Sequence, residues 1–128
     1  MHYALLLNNA EPADGDVPTE VLLQMQRAMA DYTAALESAG VFVGAEIMEP
    51  VARTVTVTRR DGDLRIENGP FADTREVLAG VFIIDVPDQD AAIAWAQQHP
   101  ATQYAVIEVR RVAAACDSGV WDAAACTD

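Results

Sequence analysis

There is no lysine in this chain. That absence excludes lysine Schiff-base chemistry, a lysine general base and the phosphate loops that depend on a lysine. All eight cations are arginine, set against 20 acidic residues, for a formal net charge of −12. Nucleic-acid binding needs clustered cations to neutralise phosphate. The only basic doublets, Arg59-Arg60 and Arg110-Arg111, lie near the ends of expected strands and read as solvated. Histidine is limited to His2 and His99, and serine to Ser38 and Ser118. No pair of histidines has metal-ligand spacing, and a Ser-His-acid triad would have to draw on a helix-end or tail serine. No metal site and no cofactor are expected. Cys116 and Cys126 both fall in the C-terminal tail and read as reduced thiols there, with a tail disulfide as the less favoured alternative. No apolar run approaches the about 20 residues that span a bilayer. No basic region precedes an apolar core at the N-terminus, so neither a signal peptide nor membrane contact is expected and the expected location is cytoplasmic.

What is present is a chain of 128 residues, 52% of them hydrophobic, which suits one domain with one core. The run His2–Leu7 reads as a buried first strand ending at Asn8-Asn9. Pro18 suits the first turn of a helix, along which Leu22, Met25, Met29, Tyr32 and Leu36 recur at spacings of three and four. They form one apolar stripe, and Gly40 is placed to end the helix. An extended segment over 41–48 follows. Thr54 to Thr58 then alternate, Asp61-Gly62 is a hairpin turn, and Leu64 and Ile66 resume the alternation. This ribbon is expected to pack on its Val/Leu/Ile side only. The almost unbroken apolar run Val77–Val86 reads as a central strand covered on both faces. Asp88 can cap a second helix that carries Ala92, Trp95, Ala96 and His99 on one face and stops at Pro100, and 103–110 is a last strand.

Strand, long helix, strand, hairpin, central strand, shorter helix and strand make an α+β order. It is that of a ferredoxin-like βαββαβ sandwich with an inserted hairpin. Both helices would then lie on one sheet face. A second copy of the chain is the simplest cover for the other, so a homodimer with facing sheets is expected. The domain is expected to span 1–112, with 113–128 as a peripheral tail.

Two sets of polar residues could carry chemistry. Glu46 stands in an otherwise apolar segment, where a carboxylate either faces water or is buried with a donor, Asn68 or Arg75 being the candidates. The second set follows Asn68. Gly69 and Pro70 make a corner, Phe71 reads as an anchor returning the chain to the core, and Asp73-Thr74-Arg75-Glu76 alternate donors with acceptors.

The pattern Gly44-Ala45-Glu46, Pro50, Asp61-Gly62, then Asn68-Gly69-Pro70-Phe71-Ala72-Asp73-Thr74-Arg75-Glu76, then Gly80, Phe82 and Ile84-Asp85-Val86 resembles the YCII-related family. It is most similar to the branch named for its Asp-Gly-Pro-Phe (DGPF) signature, over about residues 2 to 112. The resemblance implies a bacterial protein forming a dimeric α+β barrel of ferredoxin-like subunits, without an assigned activity. It also implies a link to extracytoplasmic-function sigma factors, and a few wider relatives are cofactor-free lyases or dehydrochlorinases. The first Asp of the signature is Asn68 here, and the histidine of the wider family's acid–base pair has no clear counterpart in His2 or His99. Asn68 does not exchange a proton near neutral pH, although it can hold a ligand by hydrogen bonds. The expectation is a homodimer that binds a small ligand or partner in a cleft by the Gly-Pro-Phe loop, through Glu46, Asn68, Phe71, Asp73, Thr74 and Arg75. The alternative is a cofactor-free isomerase or lyase whose base is a buried Glu46 or Glu76.

Overall fold

The structure, a computed structural model, describes residues 1–11 and 17–123. Strand β1 (His2–Ala10) alternates Tyr3, Leu5 and Leu7 into the core with Ala4 and Leu6 on the other face. It continues through Asn8 and Asn9, because the ladder there holds: they stand opposite Leu78 and Val77 of strand β5 (Glu76–Asp85), beyond a bulge at Leu7/Asn8. Helix α1 (Thr19–Ser38) follows Pro18 and ends where Gly40 takes φ 73°. There the Gly40 N–H donates to the Glu37 carbonyl (3.0 Å) and the Val41 N–H to that of Leu36 (3.1 Å), which satisfies the last carbonyls of the helix.

Strand β2 (Phe42–Ile47), a 3-10 turn at Val51–Arg53, the hairpin strands β3 (Val55–Thr58) and β4 (Arg65–Asn68), and β5 come next. Helix α2 (Gln89–Gln97) starts as its sequence requires, with Asp88 Oδ1 accepting from the Ala91 N–H at 2.9 Å. A 3-10 turn at Pro100–Gln103 leads into β6 (Val106–Arg111). The main sheet runs β2-β5-β1-β6 with every pair antiparallel. Both helices contribute to the core that covers one face of it. This α+β arrangement is compatible with the ferredoxin-like fold.

The core joins Leu5, Leu7, Phe82 and Ile84 of the sheet to Tyr32 and Leu36 of α1 and Ala92 and Ala96 of α2. Tyr32 is its polar rivet. Its ring meets Phe82 edge-on at 5.8 Å between centroids, and its hydroxyl donates to the Trp95 carbonyl at 2.7 Å, tying α1 to α2. Burial pushes the Tyr32 phenol up to about 12. His99 is buried too, at 1% exposure, with its ring 4.6 Å from those of both Tyr32 and Phe82. Its Nδ1 accepts from the Ala101 N–H at 3.0 Å, so the neutral ring carries its proton on Nε2, which has no hydrogen-bond partner. Burial lowers the His99 pKa to about 4.

One expectation of packing changes. The β3–β4 ribbon forms a separate two-stranded sheet, and it does not pack on its apolar side. Val57 and Ile66 stand opposite each other on that side and are 62% and 67% exposed. Strand β5 is central, but within the single chain helices cover only one of its faces, and Val81 and Ile83 on the other are partly exposed. The tail forms a hairpin, β7 (Ala115–Asp117) with β8 (Val120–Asp122). It turns through Ser118 (φ 52°) and Gly119 (φ 82°), both positive as a tight hairpin turn requires. Cys116 is exposed on β7, and Cys126 lies outside the described residues, as does any pairing between the two.

Candidate functional site

The apolar stripe of α1 divides. Its second half, Tyr32 and Leu36, enters the core. Its first half, Leu22, Met25 and Met29, with Gln26 beside it, instead forms the wall of a cavity of about 430 Å³ between the helix and the sheet. Leu7 and Asn9 of β1 and Ala79 of β5 lie across from that wall. Ile47 and Met48, at the end of β2, and Tyr104, after the second 3-10 turn, complete the lining. The main chain holds this end of the sheet firmly: the Met48 N–H donates to the Ala79 carbonyl at 2.8 Å. Gly80 sits beneath it. A Cβ there would come within 2.8 Å of Ile47 Cδ1 and 3.2 Å of the Glu46 carbonyl oxygen, so the glycine is what lets β2 and Leu7 close in at that point.

The lining is largely carbon and sulfur. Among the described residues its polar side chains are Asn9, Gln26 and Tyr104, with no carboxylate, imidazole or guanidinium. Asn9 Nδ2 donates to the Ala10 carbonyl at 3.1 Å, which leaves its Oδ1 as an acceptor. Burial raises the Tyr104 phenol, so it stays protonated at neutral pH. A second cavity of about 290 Å³ lies along α1 and shares Met25, Met29 and Tyr104 with the first, so these three side chains form the partition between them. Leu22, Ile47, Met48 and Tyr104 of the lining are exposed, so the site is an open groove that can hold and orient a small molecule. Among the described residues it holds no carboxylate or imidazole to exchange a proton.

The residues expected from sequence lie elsewhere, and the structure does not gather them. Glu46 is on β2, exposed, on the helix-free face and opposite Val81. Asn68 is the last residue of β4, opposite Val55, and also exposed. Phe71 is 74% exposed and enters no core; the Arg60 guanidinium lies 5.2 Å from its ring centroid. The loop is instead tied to its own hairpin. The Gly69 N–H donates to the Thr54 carbonyl (2.8 Å), and Thr56 Oγ1 donates to the Gly69 carbonyl (2.8 Å). Thr74 Oγ1 donates to the Glu76 carbonyl at 2.7 Å, which turns the chain into β5. Asp73, Arg75 and Glu76 are exposed. The expected Phe71 anchor fails because β3–β4 stands apart from the main sheet and offers no core for it to enter. Beside Phe71 lies a polar hollow whose lining includes Thr56, Thr58, Arg60, Asp61, Arg65 and Glu67. Among the described residues no three His, Cys, Asp or Glu side chains come together to hold a metal ion.

Loop and cavity do share one end of the molecule. Glu76 begins β5 opposite Ala10, and Ala79 of the cavity follows three positions later. The cavity itself was not anticipated, because helical periodicity marks an apolar face without saying what the face meets. The available signals were three of the chain's four methionines at 25, 29 and 48, and a glycine inside the apolar run of β5.

The helix-free face is ordered in cross-strand rows. Glu46, Val81, Leu6 and Glu108 make one, and Gly44, Ile83, Ala4 and Arg110 the next. Asn8 Nδ2 reaches Glu108 Oε1 at 3.2 Å along the same side.

Residues 1–115 match the model of the YCII-related domain. An uncharacterized protein of Rhizobium meliloti (strain 1021) is 32% identical over 103 residues, covering 76% of this chain and 78% of its own. The chain therefore belongs to the YCII-related family.

Proposed function

We propose that this chain is a small-molecule-binding member of the YCII-related family, of its Asp-Gly-Pro-Phe branch, that works as a homodimer and takes its ligand between α1 and the sheet. The observation that carries the reading is that Leu22 and Met25 stay outside the core and, with Met29 at its margin, line a groove of ligand size. The signature loop and hairpin then serve the subunit contact. Val57, Ile66 and Phe71 are exposed, and an isolated two-stranded ribbon has little stability of its own without something to pack on.

The helix-free face supports the dimer. Leu6, Val81, Ala4 and Ile83 form its apolar centre, with Glu46 on the β2 edge and Arg110 on the β6 edge. A two-fold pairing that sets the β2 edge of one copy over the β6 edge of the other brings Glu46 toward Arg110 at the rim, with Glu108 in the neighbouring row and held by Asn8 Nδ2 at 3.2 Å. The isomerase or lyase reading needs Glu46 or Glu76 desolvated, and both are exposed in the single chain, so binding without catalysis is preferred. Binding without catalysis would suit a signalling role, in accord with the sigma-factor link that the resemblance implies. Soaking crystals with a fragment library tests the site. Density between α1 and β5 is expected, and density confined to the hollow beside Phe71 would return the site to the signature loop.

A further inference from the structure

We infer that the cavity between α1 and the sheet selects an uncharged aromatic or fused-ring compound, and discriminates against its ionised analogues. The inference rests on the reading of that cavity as the ligand site and adds the class of ligand.

Three observations lead there. Among the described residues the lining includes no ionised side chain, so a charged group there would give up water without gaining a charged partner from them. Anions meet a further barrier in the net charge of −12. Met25, Met29 and Met48 line the space from a helix and from a strand end. Thioethers make favourable contacts with the edges of aromatic rings, and their unbranched chains adapt to a flat outline. Met25 and Met29 also form the partition to the neighbouring cavity, so rotation about their side-chain bonds can lengthen the space for a second ring. Asn9 Oδ1, the Gln26 amide and the Tyr104 hydroxyl can orient a ring through one hydroxyl or carbonyl substituent.

The test uses two fluorescent probes with one skeleton, N-phenyl-1-naphthylamine, which is neutral, and 8-anilinonaphthalene-1-sulfonate, which is an anion. Each is titrated into the full chain and into Leu22→Trp and Met25→Trp, variants that fill the cavity from the helix side and whose folding is checked by far-UV circular dichroism. The neutral probe should bind at least about tenfold more tightly than the anion, and each variant should weaken it by about tenfold or more. 1-Naphthol should displace it at lower concentration than 1-decanol, although the alcohol is the more hydrophobic competitor. If the anion binds as tightly as the neutral probe and both variants weaken it, the cavity is the site and the inference about ligand class is wrong. If 1-decanol is the better competitor, the ring preference is wrong. If neither probe binds, or if folded variants leave both affinities unchanged, the reading of the cavity as the ligand site falls as well.

Discussion

Gly80 and Ile47 stand opposite each other on neighbouring strands, so close that a single methyl group on Gly80 would come within 2.8 Å of Ile47 Cδ1. Ile47 lines the cavity. The glycine therefore sets how β2 meets β5 at the edge of the proposed ligand site. Gly80→Ala should displace Ile47 and cost about 1 kcal/mol by crowding, partly offset by the lower entropy of the unfolded chain. Gly80→Val should cost about 2 kcal/mol or more, because the Glu46 carbonyl at 3.2 Å is backbone and cannot swing aside. Urea denaturation of the two variants checks the order. Equal stability of Gly80→Val and the parent chain would show that the two strands are not held this closely.

A carboxylate placed in the centre of the helix-free face should prevent the second copy from covering it. Val81 lies there between Glu46 and Leu6 in one cross-strand row. Val81→Glu is expected to be a folded monomer by light scattering at micromolar concentration, where the parent chain is a dimer. A parent chain that is itself monomeric would remove the dimer.

Phe71 separates a structural loop from a subunit contact. Its ring is 74% exposed and carries one contact with the Arg60 guanidinium at 5.2 Å, worth about 0.5–1 kcal/mol at an exposed site. Phe71→Ala should change the unfolding midpoint of a monomeric variant by no more than that. It should weaken self-association several-fold in sedimentation equilibrium. Unchanged association would take the loop out of the interface.

The pH response follows from His99. Its pKa is about 4 in the folded chain and near 6.5 when unfolded, so between those values the unfolded state binds the extra proton. Stability from the neutral ring is complete above about pH 6.5, falls as pH drops toward 4, and changes no further once both states are protonated. The loss amounts to about 3 kcal/mol. The chain has one other histidine, so the midpoint profile is compared with that of His99→Gln in a His2→Gln background. The variant should be less stable at pH 7 and flatter between pH 6.5 and 5. A profile with the parent slope would place the acid response elsewhere.

The sequence made the elements legible and their surroundings less so. The apolar run of β1, the Asp88 cap, the Gly40 stop and the Asp61-Gly62 turn are local events, and each was readable from the residues that make it. Contacts made over long range were not. The α1 stripe is continuous in period from Leu22 to Leu36, yet Leu36 is buried by the sheet while Leu22 stands 42% exposed above the cavity. Phe71 looked like a core residue by type, but its strand pair stands apart from the main sheet. Glu46 sits in an apolar segment because β2 presents one face to the helices and one to the helix-free side, and the carboxylate is on the second. His99 was readable as part of the α2 face that meets the core, and it is buried there while its Nδ1 also caps the 3-10 turn that follows.

The central claim, that the space between α1 and the sheet is the ligand site, is tested most directly by the methionine methyl groups. The chain has four methionines, of which Met25, Met29 and Met48 line the cavity while Met1 lies by Arg111, at the other end of β1. In a methyl-labelled sample titrated with N-phenyl-1-naphthylamine, the signals of Met25, Met29 and Met48 should shift together and saturate at one ligand per chain, with Met1 unmoved. Saturable binding that leaves those three signals in place would contradict the account.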